Sequence, residues 1–361
     1  MAESNFSDIP ISQAWGPKPQ QTSPMKVQIF LEAGLPADTV AELGSLAENL
    51  GVDTLWASSF PGHRDPFLSL SMLARNSQSM RLGVVPISPF EVHPMRISDT
   101  LLTLNELCGG RASLLVGGLG RSVMRVTGLE PTRRVTAVRE CVEILKSAAR
   151  GNLLEYAGEM YRLLGYQAAW TTDVPPLIYV GATGPAMLKM AGRVADGVMM
   201  SDVPLSRMPE VLENARQGIK GAGRDEKDFR FNNFFAWHIK PDKNESIAEA
   251  RRELVWRGIL QKWHTSPFLG DVDSDFVETN WGAFMQAFLQ QTSVIEGIPE
   301  HIVEALVANL TFSGDLEAID GAIEHLKSFE AAGLDEITLK VHGDPDKAIR
   351  IIGERLVPEL S

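Results

Sequence analysis

From Lys26 onward the chain alternates between two patterns of apolar positions. Short, nearly unbroken apolar runs stand at 27–32 (VQIFLE), 54–58 (TLWAS), 81–85 (RLGVV), 112–118 (ASLLVGG), 176–182 (PLIYVGA), 197–201 (GVMMS), 229–240 (FRFNNFFAWHIK) and 336–341 (EITLKV). Between and after them come amphipathic stretches with helical spacing at 36–51, 67–77, 95–110, 133–151, 185–195, 206–222, 315–333 and 345–357. Unbroken apolar runs are what parallel strands covered on both faces require. Eight strand–helix units predict an α/β fold, the (β/α)8 TIM barrel; a doubly wound open sheet is the alternative, but this number over this length fits closure better. Two stretches interrupt the alternation. Residues 152–174 form an excursion with aromatic and turn residues, and 245–310 is too long for one barrel helix. The second stretch combines apolar helix, aromatic residues, a Pro/Gly break and acidic loop residues. It is expected to be a helical insertion that covers the barrel mouth and shapes a substrate pocket, or else a helical pair used in dimer packing.

Composition narrows the class. The chain has 361 residues, 44% hydrophobic and 22% charged, which suits one large barrel domain over 26–361 with room for a sizeable core. A net charge of −12, without any Lys/Arg cluster interleaved with aromatics, argues against a nucleic-acid surface. Cys108 and Cys141 are too few for a disulfide framework or a cysteine metal site, and are expected to be reduced thiols in a cytoplasmic protein. Residues 1–25 carry no basic or apolar signal-peptide region, and their Pro, Gln and Ser content predicts a loosely ordered arm, with Met25 as an alternative start. No run reaches the length of a membrane span.

In such a barrel, chemistry gathers at the C-terminal ends of the strands. The successive strands are followed there by Glu32 and Gly34; by His63, Arg64 and Asp65; by Ser88, Glu91 and His93; and by GGLGRS (117–122). The later ones are followed by GATGP (181–185), by Ser201 and Asp202, by His238, and by His342 and Gly343. The two glycine turns lead towards helices, where bare amides and the helix field suit an anionic group such as a phosphate; Arg121 adds a cation and Ser122 a hydroxyl. Each turn by itself is equally readable as a tight barrel connection. No HxxxH, HExxH or Cys/His cluster points to a metal, and no GxSxG elbow points to a serine nucleophile. Phe60, Val85, Phe90 and Met200 are candidates for the pocket wall and are equally readable as core, while His63 is a further candidate whose alternative is a loop hydrogen-bonder. Pro86 and Pro89 directly follow a strand-like run, although proline cannot donate to a ladder.

LGVVPISPFEVHPMRISDTLLTLNELCGGRASLLVGGLG (82–120) resembles the core of the luciferase-like flavin and deazaflavin oxidoreductases, through its LG…P…HP, TL.EL..GR and glycine-turn elements. YVGATGPAMLKMAGRVADGVM (179–199) resembles the second half of the same signature, and among branches it is most similar to the F420-dependent methylenetetrahydromethanopterin reductases. The similarity runs from about Lys26 to Pro358. It implies a barrel that holds an isoalloxazine-like ring of F420 or FMN at its C-terminal mouth, and a homodimer. It further implies a cis-peptide bulge after the third strand, carried over here to Val85–Pro86, with Ser88 beside it. A proline lowers the trans preference from about 2.5–4 to about 0.5–1 kcal/mol, so this bond is expected to be cis. Gly117, Gly118, Gly120 and Arg121, with Gly181, Ala182, Thr183 and Gly184, would hold the cofactor tail and its phosphate. Two departures stand out: Ser59-Phe60 replaces a common Asp-His pair, and Gly120 stands where the reductases often have an acid. Glu32 keeps the acidic position at the end of the first strand and is the candidate acid/base group. The resemblance thus implies hydride transfer between F420 and an organic small molecule. The alternatives are an FMN-dependent two-component monooxygenase fed by a separate flavin reductase, and a non-catalytic flavin-binding barrel.

Overall fold

A computed structural model describes residues 24–360; the arm read over 1–25 lies outside the described residues except for Pro24 and Met25. Eight parallel strands form the barrel: β1 (Lys26–Leu31), β2 (Thr54–Ser58), β3 (Arg81–Ile87), β4 (Ala112–Val116), β5 (Leu177–Gly181), β6 (Gly197–Ser201), β7 (Arg230–Trp237) and β8 (Glu336–Val341). Each pairs with its successor, and β8 pairs with β1 through Lys26↔Glu336 to Phe30↔Lys340, so the sheet closes into a TIM barrel. Helices α1 (Ala37–Asn49), α2 (Pro66–Asn76), α3 (Pro94–Leu107) and α5 (Arg134–Ala148) follow β1 to β4. A short extra helix, α4 (Arg121–Thr127), which the sequence pattern does not predict, precedes α5. Helices α6 (Pro185–Val194), α7 (Met208–Gly221), α12 (Ala318–Ala332) and α13 (Pro345–Ile351) complete the ring.

The period-2 alternation of the strands divides their side chains between two cores. The outward set packs under the helices, with Ile29, Leu55, Leu82, Leu114, Val180, Val198 and Leu339 all fully buried. The inward set fills the barrel with Phe30, Trp56, Val85, Leu115, Tyr179 and Met199. Below them lies a polar floor. Gln28 Oε1 accepts from Trp56 Nε1 (2.7 Å), Asn232 Nδ2 (2.8 Å) and Thr338 Oγ1 (3.0 Å), while Glu336 accepts from Tyr179 and Arg230. Gly83 is required beside Trp56, because a Cβ there would stand 2.2 Å from the indole ring.

The expectation of a cis Val85–Pro86 bond is wrong: no cis peptide occurs among the described residues. The bulge is made with trans peptides. Val84 pairs with Leu114 but Ile87 with Val116, so β3 carries one extra residue and runs two residues past the predicted 81–85. On either side of the bulge the Ser59 amide donates to Val85 O (2.7 Å) and the Gly117 amide to Ile87 O (2.9 Å). Pro86 occupies the unpaired position, where its missing N–H leaves no ladder bond broken.

The excursion at 152–174 is a hairpin, Leu154–Ala157 against Arg162–Tyr166. The long segment before α12 is helical: α8 (Lys243–Glu253), α9 (Lys262–Thr279), α10 (Trp281–Leu289) and α11 (Glu300–Leu310) share a core around Leu254, Val277, Phe284 and Leu306. A two-residue strand, Thr311–Phe312, returns the chain to β7.

Candidate active site

The C-terminal mouth of the barrel has two sides. The first is an arc made by the ends of β3, β4 and β5. Pro86 is exposed at the bulge and lies against Gly117, where a Cβ would meet Pro86 Cβ at 3.3 Å. Gly118 faces Met187 of α6 and Arg134 of α5 at 3.5 and 3.6 Å, so the two glycine turns are neighbours on one rim. Between Gly118 and Gly120, Leu119 has a left-handed φ of 72°, which turns the backbone sharply. Gly120 and Gly184 are the N-caps of α4 and α6 with φ of −76° and −81°, values open to any residue. Neither has an atom within 4 Å of its would-be Cβ, and neither helix has a side-chain cap. No steric contact among the described residues therefore demands glycine there. What glycine achieves is access to uncapped amides at a helix start. Arg121 is exposed beside them without an ion-pair partner among the described residues; Thr183 and Gly181 are half-buried, and the Ala182 amide donates to Met199 O (3.3 Å).

The neighbouring loops frame this arc. Phe60 and His63 touch edge to face (5.6 Å) after β2, and Asp65 caps α2 through the Leu68 amide. After β3, buried Ser88 accepts from the amide of half-buried Phe90 (3.3 Å), and His93 caps α3. The hairpin leans on this loop, with Tyr161 donating to Pro89 O (2.8 Å). Met200 is not part of the wall. It is fully buried in the layer between strands and helices, because strand alternation turns Met199, not Met200, into the barrel.

The second side is polar and is built by β1, β6, β7, β8 and the insertion. Glu32, 48% exposed, accepts from His342 Nδ1 (2.8 Å) and stands 3.8 Å from Lys340 Nζ. His342 stacks on His238 (4.6 Å), which donates from Nδ1 to Glu249 Oε1 (2.8 Å); Glu249 also accepts from Lys240 (2.6 Å). Glu249 and Glu253 are four residues apart on α8 and both buried, so one face of that helix rests on the strand ends. Burial holds His238 down at about 4, only partly offset by Glu249. Burial, with Lys340, His238 and Arg257 nearby, keeps His342 well below the usual histidine range. Both rings are therefore neutral near pH 7, with the proton on the Nδ1 that faces a carboxylate. Burial raises Glu253, and burial with Arg257 lowers Lys340.

Lys340, Arg257, Glu249 and Glu253 are absent from the sequence-level candidates. One signal was available for Lys340: in EITLKV the alternate positions Glu336, Thr338 and Lys340 are polar while their neighbours are apolar, which marks an inward polar face. Among the described residues no group of three His, Cys, Asp or Glu side chains stands close enough to hold a metal ion. No helix is long and apolar enough to cross a membrane.

Comparison with known proteins adds an independent line. Residues 20–336 match the family model described as luciferase-like monooxygenase. The chain is 29% identical over 335 residues to the 5,10-methylenetetrahydromethanopterin reductase of Methanolobus tindarius, covering 89% of this chain and 96% of that one. It is 24% identical over 328 residues to the same-named enzyme of Archaeoglobus fulgidus, covering 87% and 93%. The solved coenzyme F420-dependent tetrahydromethanopterin reductase of Methanopyrus kandleri superposes with a TM-score of 0.78 at 20% identity, over 94% of this chain and 100% of the other.

Proposed function

The chain belongs to the luciferase-like monooxygenase family, and from that premise we propose that it is an oxidoreductase moving a hydride between coenzyme F420 and an organic small molecule. The observation that carries the choice of F420 is the near full-length similarity to methylenetetrahydromethanopterin reductases, together with the F420-dependent reductase among its structural neighbours.

The residues present fit such a cofactor. A flat ring with an anionic tail needs an apolar floor, open backbone near the ring and bare amides for the tail. Val85, Phe30 and Met199 supply the floor, Pro86 the exposed bulge, and the turns at 117–121 and 181–184 the amides. When bound, the deazaflavin supplies the hydride chemistry. The chain's own part is to bind, orient and exclude water, and to handle a proton at Glu32. That carboxylate is half-exposed at the mouth, and its Oε1 is fixed by neutral His342. Its Oε2 takes no hydrogen bond among the described residues, which leaves one oxygen for a proton in transit.

Equilibrium titration of the purified chain with F420 and with FMN tests the reading. Saturable F420 binding with indifference to FMN is expected. Binding of FMN alone would replace hydride transfer by the flavin monooxygenase reading, and binding of neither would leave no oxidoreductase assignment.

A further inference from the structure

The polar side of the mouth holds two cations over a pair of facing aromatic rings. Phe30 and Phe234 meet edge to face (5.1 Å), and a cation stands over each ring: Lys340 Nζ 5.9 Å from the first centroid, the Arg257 guanidinium 5.4 Å from the second. Two like charges are thus held side by side in a largely buried place.

The neighbouring carboxylates pair Arg257 through one nitrogen and leave the Lys340 ammonium without a hydrogen bond among the described residues. Asp202 Oδ1 accepts from Arg257 Nη1 (3.0 Å), while its Oδ2 accepts from the Gly258 amide (2.8 Å) and Ser201 Oγ (2.9 Å). Glu32 Oε1 is bound to His342 and sits beyond hydrogen-bond reach of Lys340. Glu253 lies 3.5 Å from Arg252 and 3.9 Å from His342. The Lys340 ammonium, on a side chain only 16% exposed, therefore has no hydrogen-bond partner among the described residues. Arg257 Nε, on a side chain 1% exposed, has none either. A buried cation with unused donors is destabilising unless something else accepts from them. The backbone is also strained to build this corner. Asp202 has φ of 52°, and Gly258, Ile259 and Leu260 follow one another at 52°, 51° and 49°. Gly258 allows no side chain, since a Cβ would meet the His264 ring at 2.6 Å. Strain of this kind, gathered where two cations keep unused donors, marks a built site.

We propose that Lys340, backed by Arg257, receives an anionic oxygen at the substrate side of the mouth, so that the substrate is an organic acid bearing a carboxylate or phosphate. The anion's oxygens take the idle ammonium protons as charge-assisted hydrogen bonds, and Phe30 and Phe234 offer an apolar floor to its carbon skeleton. Calling the ligand a substrate rests on the F420 reading above; the anion site itself does not.

The test is thermal unfolding of the unliganded chain titrated with sodium acetate and with sodium phosphate, at ionic strength held constant by chloride. A saturable rise in Tm is expected for the natural chain and for Lys340→Arg, with at least tenfold weaker apparent affinity in Lys340→Met. Without anion, Lys340→Met is expected to melt at or above the natural temperature, because a chain of similar length replaces a largely buried charge that makes no hydrogen bond among the described residues. A lower melting temperature in Lys340→Met, restored by Lys340→Arg without any anion response, would make Lys340 a structural cation and overturn the proposal. A natural chain indifferent to both anions beyond the chloride control overturns it too. The same titration at saturating F420 separates the two sources of the anion. Unchanged anion affinity supports the substrate side, whereas competition gives Lys340 to the cofactor and ends the substrate assignment. If F420 does not bind at all, the functional reading falls, and the acetate comparison still decides the anion site.

Discussion

Glu32 shows how a single residue's role depends on what its neighbours leave free. Neutral His342 donates Nδ1–H to one carboxylate oxygen, which fixes the side chain without satisfying it. Glutamine in its place keeps the shape and can still accept from His342, but it cannot take up a proton. Glu32→Gln is therefore expected to lower F420-linked turnover about 100-fold, the usual scale of general acid–base catalysis, with F420 affinity changed less than about twofold. Stopped-flow absorbance for turnover and equilibrium titration for affinity give the two readings. Undiminished turnover would remove Glu32 from proton handling. Lys340 makes the complementary point, since its role is argued from partners it lacks.

At the scale of elements, two junctions position the mouth. The start of α6 is the more open: Gly184 has unstrained backbone and empty space where a side chain would be, so no contact among the described residues excludes one. Gly184→Val is expected to leave the melting temperature within about 2 °C while weakening cofactor binding tenfold or more, because the new branch covers the amides. Equal affinity in titration would show that the turn is merely a barrel connection. The second junction is the hairpin. Glu140 is completely buried and accepts from the amides of Glu159, Met160 and Tyr161 (2.8, 3.0 and 3.0 Å), pinning the hairpin turn to α5. Gly158 must lack a Cβ because one would stand 2.2 Å from Glu140 Oε2. Glu140→Gln turns an amide donor towards backbone donors and is expected to destabilise the chain by about 2 kcal/mol. Thermal unfolding measures that loss, and faster proteolytic nicking at 158–162 shows where it falls.

Over the whole molecule, the two ends of the barrel divide the work. The floor is densely hydrogen-bonded: Gln28 Oε1, Asn232, Thr338 and Glu336 interlock below Trp56 and Tyr179, and Gln28 Nε2 alone of that group has no partner among the described residues. Just outside it, Glu48 Oε1 accepts from the amides of Gln78, Ser79 and Met80, tying α1 to the turn before β3. Burial alone would raise this carboxyl, but the amides outweigh it and hold it at about 2 against an ordinary 4.5. The folded value lies below the unfolded one, so this stabilisation is complete above pH 4.5 and is lost as the pH falls towards 2. Glu48→Gln is expected to lower stability by about 2 kcal/mol at pH 7, and its gap from the natural chain should close between pH 4.5 and 2. Denaturant titrations across that range test it; a gap independent of pH would mean that the charge plays no part. Near the mouth, Nε2 of His238 and of His342 has no hydrogen-bond partner among the described residues, and the ion pair of Lys340 with Glu32 spans 3.8 Å. Among the described residues the closed end holds one such unpartnered atom, Gln28 Nε2, and the open end several, including the Nε2 atoms of His238 and His342 and Nε of Arg257, the end where loops and strand ends carry the chemistry of this fold.

The sequence by itself determined the barrel, because parallel strands buried on both faces must be written as unbroken apolar runs, and eight of those were legible. It also determined the glycine turns at 117–121 and 181–184, since local backbone access is a local property. It put Glu32, His238 and His342 on the rim by strand order alone. Tertiary structure decided the rest. Whether the extra residue of β3 is accommodated by a cis bond or by a trans bulge depends on how Ser59 and Gly117 bond to it from two other strands. Whether Met199 or Met200 faces inward depends on strand register, and a one-residue slip exchanges them. The Lys340–Arg257 corner is assembled from β8 and the insertion around Asp202, just after β6. Coulombic and hydrogen-bonding neighbours separated by tens or hundreds of positions leave no periodic trace in a chain, and only folding brings them within reach of one another.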